Sequence, residues 1–328
     1  MEYVDSVYGM IQIDDPAVRA LIASPSLQRL KEIDQAGFLT PFRPEEDKIT
    51  RFEHSVGVYV LLKLYGASLE EQVSGLIHDV SHTAFSHCAD YLTTQEAQQN
   101  QTQQDDVFEE YVKNSEIPSI LHQYGMDVSY ILDDTNFPLK EASLPDLCAD
   151  RIDYSLRTAI AVHVCTKEDI SCILKSLIAE GQEWIFKTVD AALKYASLFS
   201  HLNTHNYAGL TSATMFYTVG SVLRHALNKG YLVYEDLYST DAQVLAMISK
   251  HASGDADLQK LLNRMHNKVP YFIDPNHFHA QVFCKSRVVD PLCYQGKELA
   301  PLSHFHPPWK RVLLEEKSPK SYCIRFVD

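Results

Sequence analysis

Gly75-Leu-Ile-His-Asp-Val-Ser-His-Thr-Ala-Phe-Ser-His87 sets three histidines and an aspartate into a run that otherwise reads as a buried helix. A core helix gains nothing from so many imidazoles, because each buried one costs desolvation and needs a partner. A divalent metal is the simplest use for them. Working outward, His54 lies upstream and Asp150 downstream, so ligand-type side chains recur in three segments. Residues 51–65 and 69–80 read as two helices, the second opened by Ser68 with Glu71 three residues on, a capping-box pattern. His54 falls near the start of the first, and His78 and Asp79 near the end of the second. Neighbours on a helix point about a hundred degrees apart, so His78 and Asp79 share a cation only at a helix end. Val80-Ser81 suits such an end, which leaves His82 and His87 to the following turn and helix as groups beside the metal or facing a substrate.

The chain has 328 residues, enough for one large domain or one with an appendage. Acidic side chains outnumber basic ones 43 to 29, for a net charge of −14, which disfavours an extended nucleic-acid groove and leaves room for a local basic pocket. The seven cysteines are scattered and never spaced Cys-x-x-Cys, as expected of reduced intracellular thiols. Neither a secretion signal nor an apolar run approaching the ~20 residues of a membrane span is evident. A cytoplasmic location without membrane contact is the expectation.

Residues 8–13 alternate as a short strand, and Asp14-Asp15-Pro16 signals a helix start. Leu27, Leu30 and Ile33 follow helical spacing up to Gly37. Glutamines dominate 93–104, expected as a surface loop. Helical periodicity returns at 107–111, 117–124 and 146–160; 177–187 reads as a hairpin turning at Glu180-Gly181; helices resume over 188–264, with a long one near 208–228. From about 270, the segments at 271–274, 280–290, 309–315 and 321–327 read as strands. The spacing predicts a mainly α body over 1–265 and a small α+β appendage over 266–328. The pairs His201/His205 and His277/His279 lack a comparable context and are expected to be ordinary hydrogen-bonded histidines.

Arg51-Phe-Glu-His54-Ser-Val-Gly-Val, the histidine-rich run 75–87 and Asp150-Arg-Ile-Asp-Tyr154 together resemble the HD-domain metal-dependent phosphohydrolases. The likeness is strongest toward the deoxynucleoside-triphosphate triphosphohydrolase branch. It extends to Tyr8-Gly9, to Ser26-Leu-Gln-Arg-Leu30 and to Lys285-Ser-Arg-Val-Val-Asp-Pro-Leu292, so it covers most of the chain. The resemblance implies an HD-type helical core and one divalent ion (Mn, Fe, Ni, Co, Zn or Mg) held by His54, His78, Asp79 and Asp150. Asp150 rather than Asp153 matches the family ligand, because Tyr154 then falls where the family has a substrate-contacting tyrosine. It also implies that Arg51 meets substrate phosphates and that His82 and His87 lie near them, His87 donating a proton to the leaving oxygen.

Two departures bear on turnover and substrate. The family's His-Glu pair on the next helix is replaced, depending on frame, by Gln104-Asp105 or Phe108-Glu109. Thr158 stands where the triphosphohydrolases carry an aspartate that contacts the sugar 3′-hydroxyl. The expected function is hydrolysis of nucleotide-type phosphate esters, with dNTP cleavage to nucleoside and triphosphate as the family activity. The alternatives are a phosphomonoesterase or nucleotidase, and a non-catalytic metal-containing nucleotide-binding module. The implied partners are a small phosphorylated substrate and, by analogy, further copies of the chain.

Overall fold

The computed structural model describes residues 1–92 and 103–328. The chain begins with a hairpin, β1 (Glu2–Asp5) and β2 (Gly9–Gln12), paired antiparallel with Val4 opposite Met10. Its turn is tied by Asp5 Oδ1, which accepts the N–H groups of Val7 and Tyr8. Asp15 then caps α1 (Pro16–Ile22), accepting from Ala17 and Val18, with Pro16 at the first helical position as the sequence predicts. After α2 (Pro25–Arg29) the helical spacing stops sooner than expected. A 3-10 turn ends at Glu32 and Ile33 is already extended, because its carbonyl accepts Arg51 N–H while Asp34 bridges Thr50.

The site is framed by α3 (Arg51–Leu64), α4 (Leu69–Ile77) and α8 (Ala149–Ala161). Helix α3 is buried almost all round. Its register is set by a capping box in which Thr50 Oγ1 accepts Glu53 N–H and Glu53 Oε2 accepts Thr50 N–H, one turn before His54. Helix α4 ends at Ile77, three residues short of the sequence expectation, so His78 is its cap and Asp79 lies in the following turn. Ser68 does cap α4, but the capping box is incomplete. Glu71 is turned inward, where its Oε1 accepts the N–H groups of Leu139 and Lys140 at 2.8 and 3.0 Å. That contact fixes the loop leading into α8.

Between these lie α5 (Gln103–Lys113), α6 (Ile117–Gln123) and α7 (Val128–Leu132). Most of the expected glutamine loop falls outside the described residues; Gln103 and Gln104 open α5 instead. Then come α9 (Lys167–Ser176), the hairpin β3 (Leu177–Glu180) and β4 (Glu183–Phe186), α10 (Val189–Leu202), α11 (Leu210–Asn228), α12 (Asp241–Ser249) and α13 (Ala256–Met265). A π-turn over Asn203–Tyr207 joins α10 to α11.

The last part contributes β5 (Tyr271–Ile273), β6 (Ala280–Cys284), β7 (Leu292–Gln295), β8 (Glu298–Pro301), α14 (Leu302–Phe305), α15 (Pro308–Glu316) and β9 (Lys320–Phe326). One antiparallel sheet runs β5-β9-β6; the other runs β3-β4-β7-β8, with β4 and β7 parallel. Two strand expectations fail. Residues 309–315 are helical, started by Pro307-Pro308 with Trp309 buried, and the strand begun at Ala280 ends at Cys284. The protein is mainly α with a small α+β C-terminal part. Val289, Cys293 and Trp309 pack into the same core as α3, α8 and α10, and Ile324 and Phe326 into the core around α11. Among the described residues, no helix is long and apolar enough to cross a membrane.

Candidate metal centre and active cavity

His54 on α3, His78 at the end of α4 and Asp150 in the first turn of α8 meet at one point. His54 Nε2 lies 3.2 Å from His78 Nε2 and 2.8 Å from Asp150 Oδ1, and His78 Nε2 lies 3.5 Å from Asp150 Oδ1. Asp79 lies beside them, its Oδ1 3.4 Å from His78 Nε2 and its Oδ2 3.8 Å from His54 Nε2. Donors held about 2.0–2.2 Å from a shared cation stand roughly 3.0–3.4 Å from one another, so His54, His78 and Asp150 fit a divalent ion, with Asp79 beside them. The second nitrogens fix the orientation. His54 Nδ1–H donates to Asp153 Oδ2 at 2.7 Å and His78 Nδ1–H to Gly75 O at 2.7 Å. Both Nε2 lone pairs therefore face each other, an arrangement that requires a cation or proton between them. Burial alone would depress His54, yet its hydrogen bonds to Asp150 and Asp153 outweigh that and push it up to about 9.

Asp153 is a supporting residue in the structure. It is fully buried and pairs with Arg157, which also binds Asp5 of the N-terminal hairpin at 3.0 Å. Arg51, at the start of α3, reaches Asp79 Oδ2 at 2.7 Å, Ser86 Oγ at 3.0 Å and Gln35 O at 3.2 Å. His82 Nε2 is 3.3 Å from Asp79 Oδ1; burial, aided by Arg51, pushes its pKa down to about 3, so the ring is neutral. His87 Nδ1 donates to buried Asp90 at 3.1 Å. Burial holds His87 below the usual imidazole range, with Asp90 opposing and Arg51 and Arg287 assisting. In the absence of an anion His87 is therefore neutral, and a phosphate dianion alongside it would offset the two guanidiniums.

The backbone between the two histidines is strained, with Phe85 and Ser86 at φ 60° and 48°. Asp241 holds that strain, accepting Phe85 N–H through Oδ1 and Asp34 N–H through Oδ2. His54, His78, Asp79, Asp150, Arg51, His82 and His87 open on a cavity of about 340 Å3 whose wall also includes Tyr154, Thr158, Tyr207, Glu141 and Arg287. Tyr154 and Thr158 thus share the cavity with the four donors, as do Arg51, His82 and His87. Of α5, Val107 borders the recess beside His87, whereas Glu109 is exposed and pairs with Lys113; Gln104 and Asp105 lie where no side chain is described. His201 and His205 are exposed, as are His277 and His279. Sequence reasoning did not identify Asp90, Arg157 or Arg287; the spacing of Asp90 three residues after His87 was the available signal.

Asp34, on the cavity wall, is pushed up to about 7, by burial first, with Lys48 opposing. A carboxyl with a raised folded pKa holds its proton longer folded than unfolded, so stability is greatest below the ordinary carboxylate range and declines as pH rises toward 7. Asp34→Asn keeps an acceptor for Ala36 N–H. It is expected to raise the melting temperature at pH 8 and change it little at pH 5. A lower melting temperature at pH 8 would show instead that the carboxylate stabilises the fold.

Residues 51–158 match the HD domain family. The chain belongs to the HD superfamily of hydrolases. It is 32% identical over 294 residues to the uncharacterized protein YdhJ of Bacillus subtilis, covering 89% of this chain and 88% of that one. Over 315 residues it is 28% identical to the metal-dependent phosphohydrolase cns2 of Cordyceps militaris, covering 93% and 89%. Similarity to the deoxynucleoside triphosphate triphosphohydrolase SAMHD1 of Gallus gallus is 29% over 166 residues, 42% of this chain and 26% of that one. A phosphohydrolase structure from Bacteroides thetaiotaomicron shares the fold, with a TM-score of 0.76, 16% identity and 99% coverage of each chain.

Proposed function

We propose that the chain hydrolyses nucleotide-type phosphate esters in this cavity, using a divalent cation held by His54, His78, Asp79 and Asp150. One observation carries the reading: the four donors converge on a cavity wall that also bears Arg51, His82 and His87. When bound, the cation supplies Lewis acidity to a phosphoryl oxygen and acidifies water. Arg51, fixed by Asp79 and Ser86, directs a guanidinium fork toward phosphoryl charge. His87, oriented by Asp90, protonates the departing ester oxygen once phosphate has offset the neighbouring guanidiniums. Partial similarity to SAMHD1 supports cleavage of dNTPs to nucleoside and triphosphate. A phosphomonoesterase reading is favoured by Thr158, whose hydroxyl replaces the carboxylate that would select a deoxyribose.

The test is chromatographic product analysis of Mn-loaded protein against dNTPs, NTPs and monophosphates, with Asp79→Ala as the blank. Nucleoside with intact triphosphate supports the first reading, and inorganic phosphate released from monophosphates the second. No product with metal and nucleotide still bound would reduce the chain to a binding module. His87→Ala is expected to lower the rate about a hundredfold with the metal retained. Metal loss in that variant would make His87 a ligand rather than an acid.

A further inference from the structure

The C-terminal segment Lys285-Ser286-Arg287 directly follows β6. Lys285 and Arg287 both line the active cavity, while Ser286 is buried. The segment is held by a polar clamp. Asn203, fully buried at the start of the π-turn, accepts Arg287 N–H through Oδ1 at 2.9 Å. Its Nδ2 donates to Ser286 Oγ at 3.0 Å and to Glu316 Oε2 at 2.7 Å, and Ser286 Oγ donates to the same Glu316 oxygen at 3.2 Å. The same π-turn sets Asn206 and Tyr207 on the cavity wall. In a chain of net charge −14, this clamp fixes the backbone of two cations that line the wall carrying Arg51 and His87.

We propose that Arg287 is a substrate-binding guanidinium that works with Arg51 on the phosphoryl group, delivered by the Asn203 clamp. The proposal rests on the phosphohydrolase reading above and extends the site beyond the HD segment, which ends at Thr158. Its chemistry is that of a planar fork suited to phosphate oxygens, with Lys285 adding a point charge. The charge of Arg287 is felt at His87, Tyr154 and Tyr207, which line the same cavity.

The experiment is calorimetric titration of inorganic phosphate into the Mn-loaded full chain, comparing wild type, Arg287→Ala, Arg287→Lys and the surface control Arg311→Ala. A charge-assisted bidentate contact corresponds to about tenfold or more in affinity. Arg287→Ala should weaken phosphate by that factor with Mn content and melting temperature unchanged. Arg287→Lys should keep part of the affinity, and Arg311→Ala, whose side chain is 81% exposed, all of it. Wild-type phosphate affinity in both Arg287 variants would overturn the proposal while leaving the phosphohydrolase reading intact. Failure of the loaded wild type to bind phosphate would overturn both.

Discussion

Asp79→Ala should abolish metal-dependent hydrolysis and also weaken the metal-free fold, whereas Asp150→Ala should abolish hydrolysis alone. The two carboxylates face the same pair of imidazoles, so either substitution removes a donor from the group of four. Loss of the cation removes several kcal/mol of transition-state stabilisation, about three orders of magnitude in rate or more. The stability effects differ because Asp79 has a second partner. Its Oδ2 meets Arg51 at 2.7 Å, and both side chains are almost fully buried. With alanine there, the guanidinium keeps only Ser86 Oγ and Gln35 O among its hydrogen bonds, and a buried charge stripped of its counterion costs roughly 3 kcal/mol. Asp150 is partly exposed, and the His54 that loses it keeps Asp153 at 2.7 Å and Asp79 at 3.8 Å, so no buried cation is left uncompensated. Denaturant unfolding of the metal-free variants, beside Mn content and turnover, separates the two. Wild-type turnover by either variant would remove it from the metal site, and equal stabilities would mean that Arg51 finds another anion.

The metal donors were legible in sequence because their chemistry is out of place there. Imidazoles and carboxylates inside apolar helical stretches have no low-cost structural use, and the helix ends that let His78 and Asp79 converge are marked by Val80-Ser81. Asp15-Pro16 and Ser68 gave helix starts because those residue types act locally. What failed was non-local. Glu71 has the spacing of a capping residue but is taken by the backbone of Leu139 and Lys140. The hydrophobic texture of 309–315 suits a strand or a helix, and burial of Trp309 against the body decided for helix. Arg287 stands in the family-like segment 285–292, but nothing in that segment's sequence marks it as facing the metal centre. Its place on the cavity wall is a product of the Asn203 clamp, which joins residues 84 positions apart.

Gly57 shows how close the packing behind the metal centre is, and Gly57→Ala is expected to be among the most damaging single changes in the chain. Glycine inside a helix costs about 1 kcal/mol relative to alanine, so on propensity alone the substitution in α3 would stabilise. Yet a Cβ at Gly57 would stand 2.0 Å from Arg157 Nη2 and 2.1 Å from Asp153 Oδ1. Those atoms form a buried ion pair within α8 where it packs on α3, and Asp153 is also the partner of His54 Nδ1. The added methyl must separate the pair or push the helices apart. Breaking a buried pair costs about 3–5 kcal/mol, which exceeds the gain in propensity. A metal ligand that loses its orienting carboxylate binds its ion roughly 10–100-fold more weakly. Gly75→Ala is the control, since its Cβ would meet Leu62 Cδ1 at 2.5 Å and Val58 Cγ1 at 3.0 Å, the ends of apolar side chains that can yield. Its cost should lie within the ~1–3 kcal/mol of ordinary overpacking, with Mn affinity unchanged. If Gly57→Ala were as stable as the wild type and bound Mn equally well, the Asp153–Arg157 pair would not be what holds His54 in register.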